Sequence, residues 1–338
     1  IVNESTVRNM AEKMPAGGYV IRVFDSPQGQ LIFVAGSDQD GVWNGISTLS
    51  QLIRRSGDQF LLSRVEIDDW PDIPLRGVNQ MLDYLLPPGL PLKAFVEGML
   101  NYRQLIDQMV EVKLNALIIH AADALWRIPG ATQRWPRTYS EYRGPEFWRG
   151  KVQEITAYAH SRNVKVYLLL FHTLDGQGHV RIENSDICGT DPENQAALLR
   201  KFENYTQWFP DMDGYAIHRS EYRRCACPEC AKVQPSEEFL QYINHYTEIL
   251  KKHSPSAIMA FCPFPDTYYS YLVENKHRLP ADARNFLWAS QHSGQNSFLA
   301  SIKNNQEYPW FDDYAKTWYW IYTNALIDIP FPQAEYFQ

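Results

Sequence analysis

The 338-residue chain has no run of about 18 apolar residues, so nothing in it reads as a membrane-spanning helix. It has no basic excess either. Lys and Arg number 32 against 39 Asp and Glu. The formal net charge of −7 argues against nucleic acid as a partner, because phosphate binding needs a basic face. Cysteine is scarce: there are five, and four of them fall between Cys188 and Cys230, which leaves the redox compartment open. No signal peptide is visible. The chain opens at Ile1-Val-Asn as a trimmed mature chain would, and a secreted or periplasmic location is expected.

Aromatics, by contrast, are plentiful: 10 Trp, 20 Tyr and 16 Phe. They suit a large core. They equally suit a sugar-lined cleft, where aromatic faces stack on pyranose rings. Length allows two domains, and a natural division falls at the Pro-broken stretch Asp69-Trp-Pro-Asp-Ile-Pro74.

Residues 1–70 read as a small α/β unit for packing. Tyr19–Phe24 and Leu31–Ala35 are strands joined by a turn at Ser26-Pro-Gln-Gly29. Val42, Ile46, Leu49 and Ile53 recur at helical spacing, with Asp40 as the expected N-cap. Phe60–Leu62 and Val65–Ile67 suggest a further strand.

Residues 71–338 carry a strand–helix rhythm. Leu75–Val78, Asn115–His120, Val164–Phe171, Tyr215–Ile217, Ala257–Phe261, Asn285–Ala289 and Trp318–Tyr322 read as seven buried parallel strands. Their spacing points to an α/β fold of the (β/α)8 TIM-like barrel type. An eighth strand is missing, so the barrel is expected to be open or cut short towards its C-terminus.

Residues just past the strand ends line the active site of such a barrel. Here they are polar: Asn79, Asp123, His172, His218 and Arg219, Tyr222, Asp266, Gln291 and His292, and Asn324, with His120, Trp288 and Tyr322 among the last residues of their own strands. Each alone suits a structural role. Their recurrence at one end fits a pocket for a polyhydroxylated ligand. Glu221 follows the fourth strand beside His218, Arg219 and Tyr222, and suits acid–base work; otherwise it forms an ion pair with Arg219 or Arg223. Glycoside cleavage usually needs two carboxyl groups, and by position Asp266 is the best partner, with Asp123 behind it. Asp266 also suits a turn after Pro265. To keep its proton near neutrality Glu221 needs apolar walls, for which Tyr215, Tyr222 and Trp288 are candidates.

Cys188, Cys225, Cys227 and Cys230 supply four thiolates, the number that holds a structural zinc tetrahedrally. Two disulfides or free thiols satisfy the same spacing. No cofactor is expected for catalysis itself.

The small α/β domain, the Asp69-Trp-Pro-Asp-Ile-Pro-Leu-Arg-Gly-Val78 stretch and the barrel together resemble a clan of glycoside hydrolases. That clan includes the β-N-acetylhexosaminidases and the xylan-type α-glucuronidases. Gly214-Tyr-Ala-Ile-His-Arg-Ser-Glu-Tyr222 looks like the α-glucuronidase segment carrying the general acid, which by that match is Glu221. Ser220 stands where the hexosaminidases carry the Asp that orients the substrate acetamide, which argues against acetamide-assisted catalysis. The later α-glucuronidase carboxylates have no counterpart in Ser290-Gln-His-Ser-Gly294 or Tyr322-Thr-Asn-Ala325. The Cys-x-Cys-Pro-x-Cys run and the Trp318–Pro332 ending look most like a bacterial domain family related to this clan, a likeness that implies no activity. The resemblance implies a carbohydrate-active protein, either a hydrolase or a non-catalytic carbohydrate binder on a glycosidase barrel.

Overall fold

The computed structural model describes residues 4–27, 29–72, 75–81, 102–120, 139–171, 188–218, 225, 227–262, 271–272, 274–281, 283–289 and 317–323. Its first part is a three-stranded antiparallel sheet with two helices. Strands β1 (Tyr19–Ser26), β2 (Gly29–Gly36) and β5 (Glu66–Asp69) lie in the order β2-β1-β5. Helices α1 (Glu4–Ala11) and α2 (Gln39–Leu52) pack against it. Strands β3 (Arg54–Ser56) and β4 (Gln59–Leu61) form a separate exposed hairpin, so the expected single strand over 60–67 is divided between β4 and β5.

Helix α2 differs from expectation at its start. Its N-cap is Asp38, two residues earlier than Asp40; the Asp38 carboxylate accepts from the Gly41 N–H at 2.8 Å and from the Gly17 N–H at 2.9 Å. Its buried face is Gly41, Asn44, Gly45 and Ser47, while Val42 and Ile46 are exposed. The physical reason is close approach. A Cβ on Gly45 would sit 2.6 Å from Val34 Cγ1, and one on Gly41 2.1 Å from the Gly18 carbonyl. Small residues let the helix lie on the sheet, which pushes the larger apolar stripe outward.

The second part is α/β with a parallel sheet, as expected. Its strands are β6 (Arg76–Met81), β7 (Ala116–His120), β8 (Lys165–Phe171), β9 (Gly214–His218), β10 (Ile258–Cys262), β11 (Arg284–Ala289) and β12 (Thr317–Thr323). Each pairs in parallel with its two neighbours, and β12 pairs with β6. Among the described residues these seven strands connect in a closed ring, and no eighth strand joins it. Among the described residues the helices between them are α3 (Tyr102–Glu111), α4 (Tyr139–Ser161), α5 (Pro192–Trp208), α6 (Pro228–Lys232) and α7 (Pro235–His253).

Two apolar layers follow from the two-residue period of the strands. Ala116, Ile118, Tyr167, Leu169, Ala216 and Ala260 fill the ring, with Leu75 and Ile258 against them. The alternate residues, among them Leu117, Ile119, Val166, Leu168, Tyr215, Ile217, Met259 and Phe261, face the helices and meet Phe202, Phe239, Ile243 and Leu250. Helix boundaries are set locally. Asp191 caps α5 by accepting from the Glu193 N–H at 2.8 Å, and Pro192 opens the helix. Helix α7 carries Glu237 and Glu238 in its first turn and Lys251, Lys252 and His253 in its last, which complements its dipole.

Arg76 joins the ring to α3. It is buried, and its Nε and Nη2 donate to the Lys113 carbonyl at 2.9 and 2.7 Å. Burial lowers its pKa to about 10. Lys113 takes the left-handed conformation (φ 60) just past α3, which aims that carbonyl at the guanidinium, and its Nζ donates to Tyr19 Oη at 2.9 Å. The Ser47 hydroxyl donates to the Val110 carbonyl at 2.8 Å, so the first part is also fastened to the end of α3.

Candidate functional site

Five of the residues expected to line a pocket sit near the C-terminal ends of ring strands. His120 and His218 are the last residues of β7 and β9, and Asn79, Trp288 and Tyr322 lie within the last three residues of β6, β11 and β12. The register ties these ends together. Tyr322 is the partner of Asn79, Met81 of His120, Phe171 of His218, and His218 of Cys262. Trp288 pairs with Trp320. Asp123, His172, Arg219, Glu221, Tyr222, Asp266, Gln291, His292 and Asn324 lie outside the described residues.

Tyr215 is a correction. It was expected as a wall beside Glu221, but it is fully buried in the layer between ring and helices. Its hydroxyl donates toward the carbonyls of Phe209 and Tyr205, at 2.8 and 3.1 Å, and its ring meets Phe202 edge-on. The strand period explains this. Ala216 takes the inward position, so its neighbours in β9 point outward.

Among the described residues, the best-defined cluster of reactive groups is the four cysteines. Their Sγ atoms all lie within 4.8 Å of one another. Cys188 Sγ is 3.6 Å from Cys230 Sγ and 3.8 Å from Cys227 Sγ. Cys188 comes from the connection between β8 and α5, and the others from the connection after β9 and from α6. Cys227 is the N-cap of α6, where its sulfur accepts from the Cys230 N–H at 3.4 Å; the Cys227 N–H in turn points to Cys225 Sγ at 3.5 Å.

This geometry separates the thiols electrostatically. The Cys230 backbone N–H, followed by the neighbouring thiols, lowers the Cys227 pKa to about 6 despite partial desolvation. The Cys227 N–H favours the Cys225 thiolate as well. There it is outweighed by the hydrogen bond to the Cys227 sulfur, desolvation and Cys188, and the pKa rises to about 11.

The sequence reading missed the surroundings of this cluster. The Thr190 hydroxyl lies 3.3 Å from Cys230 Sγ and 3.4 Å from Cys188 Sγ. Between Cys188 and Thr190, Gly189 passes so close to Glu238 that an added Cβ would sit 1.8 Å from its Oε1. The Cys188 and Gly189 carbonyls accept from the Asn194 and Gln195 side-chain amides at 3.3 and 2.6 Å. The run Cys188-Gly-Thr190 was the one available signal.

Comparison with known proteins agrees with the expected resemblance. Residues 2–70 match the family model "Glycosyl hydrolase family 20, domain 2". No curated protein sequence matches the chain. The fold is similar to that of a β-N-acetylhexosaminidase from Bacteroides fragilis, with TM-score 0.54 and 19% identity over 86% of this chain and 60% of that one. It is also similar to a chitobiase from Flavobacterium johnsoniae, with TM-score 0.57 and 16% identity over 85% of this chain and 45% of that one. An exo-β-N-acetylglucosaminidase from Vibrio harveyi gives TM-score 0.53 and 15% identity over 87% and 49%. This chain therefore spans about half the length of these relatives, and at such identities the likeness is one of fold.

Proposed function

We propose that the chain is the barrel-bearing part of a glycoside hydrolase that acts on a polysaccharide or glycan-derived oligosaccharide, with Glu221 as the general acid. The observation that carries this reading is the pairing of two features. Residues 2–70 match a glycoside hydrolase accessory domain, and the ring that follows has a fold shared with β-N-acetylhexosaminidases. The architecture is read as a (β/α)8 TIM-like barrel preceded by the small α/β domain. A carbohydrate ligand is supported by the polar and aromatic residues at the strand ends.

The register supports a common rim. Asn79, His120 and His218 each stand an even number of residues beyond a position of the ring's interior layer, and parallel pairing carries the same alternation to Trp288 and Tyr322. Glu221 follows three residues after His218. A positioned acid protonates the leaving glycosidic oxygen, a contribution typically worth about 100- to 10,000-fold. Asp266, four residues after the end of β10, is the proposed second carboxyl. Arg219, with its planar fork, suits a sugar carboxylate or hydroxyl pair.

The test is a panel of natural oligosaccharides and aryl glycosides, including uronides and N-acetylhexosaminides, with wild type and Glu221→Gln assayed side by side. Glu221→Gln is expected to lose about 100-fold or more on unactivated glycosides, less on aryl glycosides with good leaving groups, and to keep ligand affinity. Full activity of Glu221→Gln on an unactivated substrate removes that residue from the mechanism. A wild type that binds glycans and cleaves none converts the reading to a carbohydrate-binding protein, which the missing carboxylates after β11 and β12 would then explain.

A further inference from the structure

We infer that Cys188, Cys225, Cys227 and Cys230 together hold one zinc ion, and that this ion clips the connection before α5 to the connection after β9. Distances carry the argument. A zinc ion binds each thiolate at about 2.3 Å in a tetrahedron, which sets the sulfurs about 3.8 Å apart. The separations of 3.6 and 3.8 Å from Cys188 match that edge, and no two of the four sulfurs exceed 4.8 Å. An iron–sulfur cluster interposes several metal atoms and spreads its cysteines wider, so the compact set favours a single ion.

The hydrogen bonds point the same way. Four thiolates on one divalent ion leave excess negative charge on the sulfurs, and donors aimed at them offset it. The N–H groups of Cys227 and Cys230 are directed at the sulfurs of Cys225 and Cys227. The Thr190 hydroxyl is within reach of two more, on Cys188 and Cys230. Helix α6, of five residues, is too short to persist on propensity alone, yet it presents Cys227 at its cap and the fully buried Cys230 within it. A metal bond at both positions supplies what the helix lacks.

Placement gives the ion its task. Both clipped segments follow the C-terminal ends of adjacent strands, β8 and β9. The chain leaves the sheet at His218, and Cys225, seven residues on, is already part of the cluster. The ion is thus a structural staple for one sector of the rim, and it carries no chemistry of its own. Its presence is read without any glycoside, so this inference and the hydrolase reading fail separately.

The test uses the full chain purified without chelators. Metal analysis by mass spectrometry is expected to give one zinc per chain, and Cys188→Ser and Cys230→Ser are each expected to give near none. Where a variant fails to fold, the wild type still decides. Stripping zinc and adding cobalt(II) is expected to produce strong thiolate-to-cobalt charge-transfer absorption with tetrahedral ligand-field bands at one equivalent. Chelation is expected to lower the melting temperature, because binding energy at such a site is folding energy. Stoichiometric iron, disulfides at these four cysteines, or free thiols with no bound metal would each overturn the assignment.

Discussion

Cys188 and Cys230 bring their sulfurs to 3.6 Å although one precedes α5 and the other lies within α6, forty-two residues later. Thr190 Oγ1 lies within 3.4 Å of both sulfurs. Removing that hydroxyl tests whether it steadies thiolates or only fills space. Thr190→Val is expected to weaken zinc binding by about 10- to 100-fold in competition with a chromophoric chelator, and Thr190→Ser to restore most of it. Equal affinity for wild type and Thr190→Val would leave the threonine a packing role alone.

Gly189 is the tightest point of the same segment. Any side chain there meets the Glu238 carboxylate, which is itself buried at the start of α7. Gly189→Ala is expected to cost about 1–3 kcal/mol in urea denaturation, as overpacking does. The companion Glu238→Ala should relieve part of that cost, so the double-mutant cycle is expected to show coupling. Simple additivity of the two changes would show that the clash relaxes elsewhere.

His160, in the last turn of α4, pairs with Asp213 at 2.8 Å, and Asp213 also accepts the Val166 N–H at 2.7 Å. The hydrogen bond to Asp213 raises the His160 pKa above its ordinary value of about 6.5. A raised histidine pKa stabilises the fold fully below the unfolded pKa, and the contribution disappears as pH rises through the folded one. The pair is partly exposed, so its worth is under about 1 kcal/mol. The melting-temperature gap between wild type and His160→Ala is therefore expected to be widest near pH 5.5 and to narrow by pH 8.5. A gap independent of pH would assign the loss to packing.

The ring strands were legible because each is a short apolar run ended by polar residues, and β7, β8 and β10 fall within a residue of their expected limits. Which way a given side chain points was less legible. Tyr215 reads as apolar and adjacent to Glu221, but strand parity turns it to the helices. In α2 the helical spacing was legible and the buried face was not, because the sheet is approached through Gly41 and Gly45 and hydrophobicity gives no weight to the absence of a side chain. Asp40 and Asp38 are equally good caps as letters; only the turn at Gly36–Asp38, where Gly36 Cα comes within 3.1 Å of a Cβ built on Gly41, chooses between them. The four cysteines announced themselves by number and grouping. Thr190 did not, since a hydroxyl two residues from a thiol is common and only the fold brings it to a second one.

The seam between β12 and β6 also sets an order of events during synthesis. Arg76 and Tyr319 are register partners on the first and the last of the described ring strands. One edge of β6 thus waits for β12, the last of the described ring strands to be made, on the order of ten to fifty seconds later at ordinary translation speeds. Through that interval the nascent chain carries an unpaired parallel edge, the kind of surface that recruits foreign strands. Arg76 is already usable then, since Lys113 emerges soon after it, and the latch on that carbonyl can hold β6 against α3 before its second partner exists.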